Sequence, residues 1–271
     1  MKSVITSILI SILFGCQQNI TLELPKYEPK VAVYSILEPG SVPVVLLSLS
    51  QSYYSYGDTT PGYIPIKNAV VTITDQTANT TDALSLDSGI YFNSWYYYSH
   101  RPSIVGHHYI LNINYLGSLI NAATTIPMPV IIKSFTHERI DDPNSGLTHY
   151  IFHLFFQDIV GEQNFYTSPP PNGFVVNNFY TNFTSDYGLD GKQLETTTDT
   201  YIMTSSLIDS VGYQVTVKTV TPEMEKYDTD IWTQIHNGPL SQPVIIESNV
   251  NGGLGVFGAL STSPLFNITV K

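Results

Sequence analysis

Short β-type runs broken by turn residues constrain the fold of this chain more than any other feature. Val31 to Leu37 reads VAVYSIL, and Val44 to Gln51 reads VVLLSLSQ, with Leu47 and Leu49 alternating against Ser48 and Ser50. Period-two alternation marks a strand with one buried face, because successive side chains leave opposite sides of the backbone. Ala69 to Asp75 alternates again and ends in a polar turn. The stretch DSGIYF predicts a turn at Asp87-Ser88-Gly89 ahead of a strand. Tyr109 to Tyr115 is expected to pair with Ser118 to Ile126 across a Leu116-Gly117 turn. Such closely spaced strands predict an immunoglobulin-like β-sandwich over residues 30–128.

Pro127-Met128-Pro129 suggests a boundary. Beyond it, Val130 to Arg139, His149 to Asp158, Gly173 to Phe183, Thr200 to Ser206 and Tyr213 to Thr221 read as strands. One helix stands out. Thr221 suits its N-cap, Pro222 its first position, and Glu223 and Glu225 its positive end. Met224, Tyr227, Ile231 and Ile235 share one face at helical spacing, and Asn237-Gly238 ends the run. Val244 to Glu247, Leu254 to Leu260 and Phe266 to Val270 complete the strands. The expected class is all-β: the sandwich, then a second β-rich domain over 129–271 carrying one short α-helix.

Only 12% of residues are charged, against 19 Tyr and 17 Pro, a composition of exported β proteins. The net charge of −11 argues against nucleic acid, which requires a basic footprint, and against electrostatic docking on anionic lipid. The single cysteine, Cys16, excludes an internal disulfide and a cysteine-type zinc cluster.

That cysteine follows a short leader. Met1-Lys2 gives a positive start, and Val4 to Phe14 is apolar but far short of the roughly 20 residues that span a bilayer. Leu13-Phe14-Gly15-Cys16 resembles the bacterial lipobox, an apolar residue, a variable one, a small one, then the cysteine that takes lipid. Residues 1–15 are read as a signal peptide, and 16–29, with Pro25 and Pro29, as a tether held by acylated Cys16.

Motifs for chemistry are sparse. No G-x-S-x-G, H-E-x-x-H or G-x-x-x-x-G-K-[ST] occurs. His149 and His153 would share a strand face roughly 13 Å apart, too far for one metal. His107 and His108 point to opposite faces. The turns at 141–146 and 186–191 bear acids without the alternating spacing of a calcium loop. Gly252, Gly253 and Gly255 are read as supplying positive φ and close packing in a hairpin-like setting. No catalytic residue, metal site or cofactor is expected, and the chain is read as a non-enzyme. Aromatic clusters are the stronger signal: Tyr53, Tyr54 and Tyr56; Trp95, Tyr96, Tyr97 and Tyr98; Phe179 and Tyr180. At strand ends or loops they would offer contact area for a partner or a sugar at low entropy cost. Alternation buries only two of the four residues at 95–98.

LELPKYEPKVAVYSIL (22–37), VVLLSLSQSYY (44–54), IKNAVVTITD (66–75), the helix TPEMEKYDTDIWTQI and the glycine-rich SNVNGGLGVFGA (248–259) carry a further signal in their order and spacing. Together they resemble a Bacteroidota lipoprotein family catalogued as a domain of unknown function, over residues 16–270. The resemblance implies an outer-membrane lipoprotein associated with a TonB-dependent receptor barrel, assisting nutrient capture or uptake. It carries over no catalytic residue. The cell surface is expected ahead of the periplasmic face, although Gln17-Gln18-Asn19 rather than acids follow Cys16. The alternative is a carbohydrate- or peptide-binding surface lipoprotein acting alone through its aromatic loops.

Overall fold

The computed structural model describes residues 27–51, 64–89, 94–141, 143, 148–170, 182–202, 212–238, 241–242 and 244–269. The strands are β1 (Val31–Leu37), β2 (Val44–Leu49), β3 (Ile64–Pro65), β4 (Val70–Asp75), β5 (Thr80–Ala83), β6 (Ser85–Gly89), β7 (Ser94–Tyr98), β8 (His108–Tyr115) and β9 (Ser118–Thr125). After the Pro127–Pro129 stretch follow β10 (Ile132–Asp141), β11 (Thr148–Gln157), β12 (Phe165–Thr167), β13 (Thr184–Ser185), β14 (Gln193–Ile202), β15 (Gly212–Val215) and β16 (Lys218–Val220). The helix α1 (Pro222–His236) precedes β17 (Leu254–Thr262) and β18 (Phe266–Thr269). Among the described residues the chain is therefore all-β with one short helix.

Two layers make the sandwich. One is the sheet β5-β4-β8-β9; the other belongs to a nine-stranded sheet in the order β13-β12-β16-β17-β1-β2-β7-β6, with β3 on β2. Alternation in β1 turns Val31, Val33 and Leu37 inward, where they meet Val45 and Leu47 of β2, Leu111 and Ile113 of β8, and Ile120 of β9. Burying each such aliphatic side chain contributes roughly 1.5–3 kcal/mol. The β8–β9 hairpin closes through Leu116 (φ 51°) and Gly117 (φ 85°), both left-handed, as the expected two-residue turn requires.

One pairing was not legible in the sequence. β17 lies parallel to β1, with Ala32 opposite Leu254 and Leu37 opposite Ala259. Parallel neighbours need a long crossover, and here it includes everything from 38 to 253. The nine-stranded sheet thus runs across the boundary expected at 128/129. The glycine motif makes this contact, and in a parallel pair rather than a hairpin. A Cβ on Gly253 would lie 2.8 Å from the Val31 carbonyl oxygen. Gly255, at φ +102°, would drive its Cβ into the Val33 carbonyl.

The second core gathers Tyr150, Phe152, Leu154 and Phe156 from β11, in the sheet β10-β11-β14, against Tyr213 and Val215 of β15, Ile268 of β18 and Tyr166 of β12. The single strand expected at 213–221 breaks in two. Val217 exchanges hydrogen bonds with Ser263 where the chain passes from β15, the partner of β18, to β16 in the large sheet. Ser85–Gly89 is strand rather than turn, and residues 244–247 form no strand. Residues 173–181 and 203–206 of the expected strands lie outside the described residues.

α1 begins and ends where expected, but Thr221 does not cap it through its side chain. Its hydroxyl instead accepts the Ala259 N–H at 3.2 Å, while its own N–H donates to the Ala259 carbonyl at 3.0 Å. Thr221 pins the start of the helix to β17. The apolar stripe is buried at Met224, whereas Ile235 is 60% exposed.

Candidate functional site

The open end of the sandwich holds a cleft of about 350 Å³. Strand register builds one wall. Ile73 pairs with Asp82, Asp75 with Thr80, and Asp75 also with Tyr109 of β8. Directly paired residues share a face, so Ile73, Asp75, Thr80, Asp82 and Tyr109 all line the cleft. Pro43, Ser99, Arg101, Pro102 and Ile104 complete its lining.

Both carboxylates are held by fixed donors. Asp75 accepts the Ala78 N–H at 2.9 Å and the His107 Nδ1–H at 2.8 Å. Burial alone would push its carboxyl up, but these bonds and one from Tyr109 outweigh it and hold Asp75 below the usual carboxylate range. Asp82 accepts the Ser99 hydroxyl and the His100 N–H, each at 2.6 Å. Its carboxyl is likewise lowered, with burial opposed by Ser99 and His100. Burial pushes the Tyr109 hydroxyl up, and that hydroxyl accepts the Ile104 N–H at 2.8 Å. The carboxylates therefore stay ionised at neutral pH and tie a hairpin and a loop to the sheet. Neither can act as a general acid there.

A serine joins the second pair. Ser85 Oγ lies 3.1 Å from His100 Nε2, and His100 Nδ1 lies 3.4 Å from Asp82. This is the order of nucleophile, base and orienting acid. The Asp82–His100 leg is long, and the imidazole is half exposed. Ser85 also sits in the run of a strand, not on the sharp turn that lifts a hydrolase nucleophile above its sheet.

A second polar centre joins residues far apart in the sequence. Asp158, Asp186 and Asp190 bring carboxylate oxygens within 4.8 Å of one another. Asp158 accepts the Tyr166 hydroxyl and the Gly191 N–H; Asp186 accepts the Asn164 N–H at 3.0 Å, and Asp190 the Gly161 N–H at 2.9 Å. Burial, then the bond to Asp158, pushes the Tyr166 hydroxyl far up. An open hollow of about 280 Å³ lies beside Asp186 and Asp190. Three oxygen donors of this kind suit a hard cation such as calcium or magnesium better than zinc. As it stands, each acid clamps backbone from a neighbouring loop. The turn at 186–191 was visible in the sequence, but Asp158 was hidden as the last residue of an apolar strand pattern.

Of the aromatic clusters, Trp95–Tyr98 is described. It lies within β7, between β2 and β6, not in a loop. Tyr96 and Tyr97 are buried, and Trp95 and Tyr98 half-buried. The Tyr97 hydroxyl accepts the Ala69 N–H at 3.0 Å. Lys67 Nζ sits 4.3 Å above the Trp95 ring, and Tyr98 lies 5.3 Å from the His100 ring. Tyr53, Tyr54, Tyr56, Phe179, Tyr180 and Cys16 lie outside the described residues. His107 and His108 diverge, His107 to Asp75 and His108 to the Thr125 hydroxyl at 2.8 Å. His153 is held by Glu195 and lies 3.5 Å from Glu138.

No curated protein matches this chain. A family model does, the domain of unknown function DUF4249, over residues 17–264, and with the sandwich, helix and glycine-rich β17 inside that span, the chain belongs to the DUF4249 family.

Proposed function

We propose that this protein is a non-catalytic, lipid-anchored accessory of the outer membrane that associates with a TonB-dependent receptor and assists nutrient capture or uptake. The observation that carries the reading is Leu13-Phe14-Gly15-Cys16, a lipobox-like stretch holding the only cysteine, placed shortly before β1 opens at Val31. An anchor, a short tether and a folded β body make a protein that works beside a membrane partner. No helix among the described residues is long and apolar enough to cross a membrane. The cleft supports a binding role over a catalytic one, because its carboxylates are committed to structural donors.

Three measurements test this. Cys16→Ala should abolish incorporation of labelled palmitate and release the protein from membranes. The detergent-solubilised wild type should co-purify with a receptor barrel, and recovery without one counts against the association. Ser85 should resist a fluorophosphonate probe; covalent labelling of Ser85 would overturn the non-catalytic reading.

A further inference from the structure

We propose that the end of the molecule formed by the last turn of α1 and residues 244–246 rests on the lipid surface that holds Cys16; the proposal rests on the lipid-anchor reading above. Direction comes first. α1 starts against Ala259, which pairs with Leu37 at the far end of β1, and Tyr227 then stands 6.1 Å from Tyr34. The helix therefore runs back along β1 toward its beginning. A helix advances about 1.5 Å per residue and a strand about 3.3 Å, so Ile231 to His236 reach the level of Val31 and pass it.

There the helix outruns the sheet that should cover it. Ile235 continues the stripe of Met224, yet Met224 is 3% exposed and Ile235 60%. Trp232 beside it is 38% exposed. The Val244 N–H donates to Gln234 Oε1 at 2.7 Å, which holds the following residues against this turn. Of these, Ile245 is 87% exposed and Ile246 36%. From Ile231 to Ile246 the sequence contains no Asp, Glu, Lys or Arg, in a chain of net charge −11. Within that stretch no fixed charge opposes burial in lipid; the exposed Glu28, Lys30 and Glu247 lie at its margin.

The tether leaves from the same end. The Tyr27 hydroxyl and the Lys30 N–H both bond Ser50 Oγ, beside the start of β1. From there residues 17–26 lead back to the acylated cysteine, a reach of at most about 35 Å at full extension. An acyl anchor so close keeps this end near the bilayer, where Trp and Ile partition favourably into the interface. A single weak apolar contact then adds to the insertion of the acyl anchor in the manner of a bivalent ligand.

The test uses the full acylated chain in vesicles of uncharged phosphatidylcholine. Trp95→Phe leaves Trp232 as the sole tryptophan of two, and an unchanged melting curve checks its fold. Acyl-brominated lipid should quench Trp232 emission and shift it to the blue relative to unbrominated vesicles. Ile235→Lys with Ile245→Lys, both on exposed positions, should keep the fold and vesicle retention but lose the quenching. Protein that floats with vesicles and carries palmitate, yet shows unquenched Trp232, overturns the proposal and leaves the anchor standing; so does unchanged quenching in the double variant. Trp232 shielded from both aqueous acrylamide and bromolipid would place the tether or a protein partner on this end, which also overturns it. Absence of palmitate overturns both readings.

Discussion

Gly255 shows how one residue can hold two distant segments together. Its φ of +102° and the overlap its Cβ would make with the Val33 carbonyl both require glycine. Gly255→Ala should cost about 2–3 kcal/mol, read as a lower urea midpoint at constant slope. Leu116 sits in the opposite situation, a bulky residue held at φ 51° and almost wholly exposed. Leu116→Asn should stabilise the protein by about 1 kcal/mol, because asparagine tolerates the left-handed region that leucine does not. Asp75 carries a pH dependence. Its folded pKa is lowered, so its contribution is present above the unfolded value of about 4 and is lost as pH falls through the folded value. The melting temperature should drop in acid below about pH 4, and the drop should be shallower in Asp75→Asn. The Leu116-Gly117 turn could be read directly, since the two residues separate alternating runs. The contact of Gly255 could not, because nothing local names Val33 as its neighbour.

At the scale of elements, α1 was legible in its ends but not in its covering. Proline at the first turn and Asn237 after the last fixed the boundaries by local chemistry. Helical spacing puts Ile235 in line with Met224, yet Ile235 is 60% exposed; periodicity carries no information about where a sheet stops. Thr221 was read as a cap, yet its hydroxyl serves the buried Ala259 N–H. Thr221→Val keeps the shape and removes that acceptor. It should destabilise the protein by roughly 1–3 kcal/mol, the range for a buried donor left alone, measured by calorimetry. The cleft followed the same logic: alternation predicts that Asp75 shares a face with Ile73, but only the register with β5 brings Asp82 beside them.

At the scale of the molecule, the sequence divided the chain where the structure joins it. Proline-rich punctuation at 127–129 marks a real change of sheet, from β9 to β10. It cannot show that β17 returns to pair with β1. A fragment of residues 30–128 should therefore fail to fold cooperatively, since it leaves β1 without its neighbour and the core without Phe257 and Ala259. A sharp, dispersed proton–nitrogen spectrum from that fragment would contradict this.

The β1–β17 pairing also places the protein in time. Ala32 cannot meet Leu254 until every residue between them has been synthesised, and at about 5–20 residues per second that takes roughly 10–45 s. Through that interval β1 and β2 exist without the strand that completes their layer. Contacts so distant in sequence also form slowly once they are possible. The nascent chain stays pliable for as long as it is being made, the state in which a polypeptide can still be threaded through a translocation channel.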